Sequence, residues 1–139
     1  MKQIALFIAS ICAAFSATAQ SASVCDSMLR EASDAEMTAR SSYLARDTSH
    51  ASQLMKAAAT SFDKYAGSCG LGPMAYVGVL IHARLSLLYR GQGNPSGAES
   101  AAASAGKYAE ILRKRRIEWP EIENIVRDAD LKQRAAANK

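Results

Sequence analysis

The sequence predicts an all-α protein of about five helices, arranged as two antiparallel hairpins with a C-terminal capping helix and one disulfide. Three observations carry this. Apolar residues recur at spacings of three and four along most of the chain. Alanine, the best helix former and the smallest core side chain, supplies 28 of 139 residues. No stretch alternates apolar and polar residues as a half-buried strand would.

The N-terminal segment is read first, because it determines the compartment. Lys2 precedes the uncharged run Ile4 to Phe15, and "SATAQ" places Ala17 and Ala19 in the A-x-A pattern that precedes signal-peptidase cleavage. The run is shorter than the roughly 20 residues a permanent span requires. Cys12 follows Ile11 and Cys25 follows Val24, where a lipoprotein anchor would place a small residue. Residues 1–19 are therefore expected to be a cleaved signal peptide, and residues 20–139 one exported domain in the periplasm. Cleavage leaves Cys25 and Cys69, an even number in an oxidising compartment. Their bridge would close a loop of roughly 45 residues and add about 3–4 kcal/mol.

Helix one is expected over about Cys25 to Ala45, with Met28, Ala32, Ala35, Ala39 and Tyr43 on one face. Asp47, Thr48 and Ser49 compete to cap a second helix, whose stripe is Ala51, Leu54, Met55, Ala58, Phe62 and Tyr65. It ends by Gly67, before the glycine-rich "GSCGLGP". Pro73 suits the first turn of a third helix, apolar on most sides and hence central; His82 and Arg84 interrupt it and rule out a membrane span. The fourth runs from Pro95 or Ser96 to about Arg116, with a stripe of small residues including Ala98, Ala101, Ala102 and Ala105. The fifth begins at Pro120, turns Ile122, Ile125, Val126 and Ala129 inward, and gives way to a frayed tail over 131–139.

Internal similarity adds a family resemblance. His82, Leu85, Ser86 and Tyr89 are followed by Gly93, then Ala98, Ala102 and Ala105. This spacing resembles the tetratricopeptide repeat: a large residue, Leu, a small residue and Tyr on one helix, then a turn and small contact points on the next. His82 stands for the usual Trp, Ser86 for Gly, Ala102 for an aromatic, and Glu110 for the closing proline. Ala39, Ser42, Ala51, Met55 and Ala58 repeat the spacing about 47 residues earlier, against 34 in the family. The resemblance implies a partner-binding groove lined by the first helix of each hairpin. By position it would comprise Glu36, Arg40, Tyr43, Ala83, Leu87 and Arg90, with arginine and tyrosine gripping a carboxylate or acidic segment.

Chemical motifs are few. Gly91, Gly93 and Gly97 follow a helix, where a dinucleotide fingerprint needs a strand. Ser61/Lys64 and Ser104/Lys107 fit S-x-x-K but lack the partner motifs of enzymes that use that pair. A helical hydrolase built on Ser61 or Asp63 is the weakest of the functional readings. His50 and His82 have no flanking ligands for a metal, so neither metal nor cofactor is expected. Losing Lys2 takes the formal charge from +4 to about +3, too little to argue for nucleic acid. The basic cluster Arg113, Lys114, Arg115 and Arg116 reads as a solvated helix end or as a patch for anionic lipid or an acidic partner. The expected function is non-catalytic binding of a peptide or protein partner, with an immunity-type inhibitor of a toxin or enzyme as the alternative.

Overall fold

The computed structural model describes the backbone of residues 2–139 and the side chains from residue 22 onward. The expected leader over 1–19, with Cys12, lies outside the residues whose side chains are described. Five α-helices follow in order: α1 (Lys2–Leu44), α2 (Thr48–Cys69), α3 (Ala75–Gly91), α4 (Pro95–Arg113) and α5 (Trp119–Ala137), with a short 3₁₀ turn over Gly72–Met74. There is no strand among the described residues. α1 packs on α2 and α3 on α4 as hairpins, and α2 against α3 joins the pairs. The result is a helical bundle compatible with a helical-repeat fold.

Local chemistry sets the helix ends. Arg46 adopts φ 62° just beyond α1, and Asp47 caps α2 by accepting a hydrogen bond from the His50 amide. Gly93 turns at φ 72°, which glycine adopts without steric cost, and Asn94 then accepts from the Gly97 amide to start α4 at Pro95. α4 stops at Lys114, whose left-handed conformation sends its amide back to the Glu110 carbonyl at 2.7 Å.

Two apolar clusters fill the interior. One joins Ala32, Ala39, Met55, Phe62, Ile81 and Leu85 across α1, α2 and α3. The other joins Val79, Ala83, Ala105, Ala109, Ile122 and Val126 across α3, α4 and α5. Small residues let the helices approach closely. A Cβ on Gly78 would lie 2.7 Å from the Tyr108 ring and 2.8 Å from that of Phe62. Cys25 and Cys69 are bonded, with an S–S distance of 2.05 Å, tying the middle of α1 to the end of α2. Such a bond suits an oxidising, exported compartment. No helix among the described residues is long and apolar enough to cross a membrane.

The C-terminal segment departs from expectation. Residues 131–137 continue α5 as helix rather than fraying. Asp130 and Gln133 are held by Arg84 of α3, which anchors the last turns that the charged, alanine-rich sequence alone does not.

Candidate functional site

Arg84 is the organising side chain. It lies within a mostly apolar helix and is fully buried. Its Nε and Nη2 donate to Asp130 Oδ1 at 3.0 and 2.9 Å, and Nη2 also donates to Gln133 Oε1 at 2.9 Å. Nη1 lies 3.6 Å from Glu36 Oε1 and has no hydrogen-bond partner. The guanidinium sits 5.6 Å from the Tyr43 ring centroid, and the Tyr43 hydroxyl donates to Asp130 Oδ2 at 2.8 Å. One arginine thus ties α1, α3 and α5 together. Burial and the Asp130 hydrogen bond push the Tyr43 phenol up to about 12.

Beside this network the three helices frame a cleft with two lobes, of about 310 and 370 Å³. Tyr43, Leu87 and Arg134 border both. Arg46, Thr48, Leu88, Gly91 and Gln92 complete the first; Arg127, Asp130 and Leu131 complete the second. Gln92 donates to the Thr48 carbonyl and to Ser52 Oγ, so that end is built from hydrogen bonds between α2 and α3. Arg127 pairs with Glu123 at 2.7 Å. Arg46 and Arg134 enter no ion pair among the described residues. An apolar floor under arginines suits a segment carrying both an apolar side chain and a carboxylate.

The six groove positions inferred from spacing are only partly assembled here. Tyr43 and Leu87 line the cleft. Glu36 is engaged by Arg40 and Arg84, each at 3.6 Å. Ala83 is not a groove residue: it is fully buried in the cluster that α5 completes with α3 and α4. Arg90 is engaged outside the cleft: its guanidinium stacks 4.4 Å from the centroid of the Trp119 ring at the start of α5, and it borders neither lobe. Sequence reasoning missed Arg46, Arg127, Leu131 and Arg134. The last three recur at i, i+4 and i+7, a signal lost once Leu131 and Arg134 are read as part of a tail over 131–139.

A second polar cluster bridges the hairpins. His82, only 4% exposed, donates from Nε2 to Asp63 Oδ1 at 2.8 Å, and the Tyr108 hydroxyl donates to the same oxygen at 2.5 Å. The His82 and Tyr108 rings stack with centroids 5.5 Å apart. Burial drives the Asp63 carboxyl upward, but the hydrogen bonds from His82 and Tyr108 outweigh it and hold it below its ordinary value. Burial and the same carboxylate raise the Tyr108 phenol. These contacts join α2, α3 and α4. His50, by contrast, is exposed in the first turn of α2.

Arg113 to Arg116 are all exposed at the end of α4. Arg115 pairs with Glu121 and Arg116 with Glu118, each at 2.8 Å. Among the described residues no group of three or more His, Cys, Asp or Glu side chains is placed to hold a metal ion. No protein-family model matches the chain, and no curated protein or solved structure matches it either.

Proposed function

We propose that the chain is an exported, periplasmic interaction module of the tetratricopeptide-like kind, without catalytic activity. It binds an acidic segment of a protein or peptide partner in the cleft between α1, α3 and α5. The observation that carries this reading is the pairing of an apolar floor (Tyr43, Leu87, Leu88) with Arg46 and Arg134, which lack ion pairs among the described residues. A partner carboxylate would meet these arginines in charge-assisted hydrogen bonds, while an adjacent apolar side chain covers Leu87. The leader motif of residues 1–19 and the Cys25–Cys69 bond support the compartment.

Fluorescence anisotropy against labelled acidic peptides that contain leucine tests this. Arg46→Ala with Arg134→Ala should weaken binding at least tenfold, and Leu87→Ser should weaken it with the charges intact. Undiminished binding by the double variant would overturn the assignment. A single tight protein partner recovered from periplasmic extract, bound through the same cleft, would point to the inhibitor or immunity role.

A further inference from the structure

The connection between α4 and α5 takes no part in the cleft and is loosely held. From Glu110 to Arg116 no side chain is buried and only Leu112 is partly covered; burial resumes at Ile117. The amides of residues 115–118 donate no backbone hydrogen bond among the described residues. Into this stretch the sequence places Arg113, Lys114, Arg115 and Arg116 in a row. Arg115 and Arg116 meet Glu121 and Glu118, but their side chains are 58% and 84% exposed, so water weakens both pairs. Apart from this cluster and the terminal Lys139, Arg46 is the only lysine or arginine outside a helix among the described residues. The turn at Arg46 is closed by hydrogen bonds from the amides of Ala45, Arg46 and Asp47.

We propose that the Arg115–Arg116 peptide bond is where an arginine-selective endopeptidase opens this protein, and that the cut detaches α5. Such an enzyme takes its substrate as extended chain, so arginines inside helices are withheld until their helix opens. Here Arg115 offers its side chain to the enzyme's acidic specificity pocket, and freeing its flank costs only the last, unburied turn of α4. Water adds across the bond, leaving a carboxylate on Arg115 and an ammonium group on Arg116. A cut at Arg46 leaves its two sides joined through Cys25–Cys69, whereas α5 contains no cysteine. The intact connection holds α5 at an effective concentration on the order of 1 mM, about a thousandfold above micromolar fragments. After the cut, α5 keeps only its packing through Ile122, Val126 and Ala129 and its polar bonds to α3. Its departure takes Leu131 and Arg134 out of the cleft. The resulting loss of binding rests on the function proposed above; the cut and the release do not.

Trypsin, added sparingly to the full native chain, is the probe, with intact mass spectrometry and size exclusion at about 1 μM as readouts. The first cut within residues 22–139 should fall at Arg115–Arg116, about tenfold or more ahead of Arg46 and of every helical site. The peptide 116–139 should then elute apart from the remainder. Lys114→Gln with Arg115→Gln and Arg116→Gln should slow the release of α5 about tenfold or more while leaving the urea midpoint in place. Acidic peptide should bind the nicked protein about tenfold more weakly than the intact one. Three results would overturn the proposal: a first cut elsewhere, a cut whose rate rises with urea in step with global unfolding, or nicked halves that stay together on the column. If the uncut chain binds no acidic peptide, the cleft reading falls, and mass and elution still decide this one.

Discussion

Replacing Arg84 by alanine probes the centre of the fold. The guanidinium is fully buried and makes two hydrogen bonds to Asp130 Oδ1 and one to Gln133. Asp130 is itself only 7% exposed. Its removal leaves a carboxylate facing the interior with only the Tyr43 hydroxyl as partner, and opens a void where the side chain lay. Breaking a buried pair in this way costs about 3–5 kcal/mol. At roughly 4 °C per kcal/mol for a domain of this size, the melting temperature should fall by about 12–20 °C. Urea unfolding followed by circular dichroism measures the loss. The discriminating control is Arg84→Met with Asp130→Leu, which removes both charges and fills the space. It should be more stable than Arg84→Ala alone, because no unpaired ion remains. An Arg84→Ala protein within about 1 kcal/mol of wild type, or strictly additive single-site costs at Arg84 and Asp130, would refute the reasoning.

Other consequences are as direct. Gly78→Ala forces a methyl against the rings of Tyr108 and Phe62, and should cost about 1–3 kcal/mol in the same urea assay; an unchanged midpoint would mean the rings yield freely. Reducing Cys25–Cys69 frees a loop of sequence separation 44 and should cost about 4 kcal/mol, read as a lower melting temperature in reductant; free thiols in the exported protein by mass spectrometry would contradict the bond. Tyr43 is raised from 10.0 to about 12 in the folded chain. A raised folded value gives stability that is fully present below about pH 10 and lost as pH rises through about 12. Ultraviolet titration should therefore find Tyr43 and Tyr108 ionising above the ordinary tyrosine value. Tyr43→Phe should flatten the alkaline loss of stability.

What the sequence disclosed follows from how local each cause is. The stripes of α2 and α4, the cap at Asp47 and the turn at Gly93 depend on residues within four positions of one another, so their spacing reveals them. The cysteine pair is legible by count alone. Arg84 shows the opposite case: in sequence it only breaks an apolar run, because Asp130 lies 46 residues away and leaves no trace in any window. His82 and Asp63, 19 residues apart, are equally silent. Ala83 was assigned to a groove by the spacing of two hairpins, a rule that takes no account of a fifth helix closing over that position. The tail was misread for the same reason. Its Leu, Lys, Gln, Arg and Ala residues are good helix formers, and the bonds from Arg84 to Asp130 and Gln133 fasten the segment to α3.

These features explain how two hairpins and one helix make a defined molecule. Alanine stripes on α4 allow close approach but have little shape with which to prevent sliding. The apolar side chains of α5 in the second cluster, Ile122, Val126 and Ala129, bury surface without strongly fixing register. The fork of Arg84 is directional: its bonds to Asp130 and Gln133 are satisfied in one seating of α5, and Tyr43 extends the constraint to α1. Apolar burial therefore supplies the adhesion of α5, and the buried ion pair supplies its position. Arg134 lies one turn beyond Asp130, so the pair that seats α5 also sets where the cleft presents its unpaired charge.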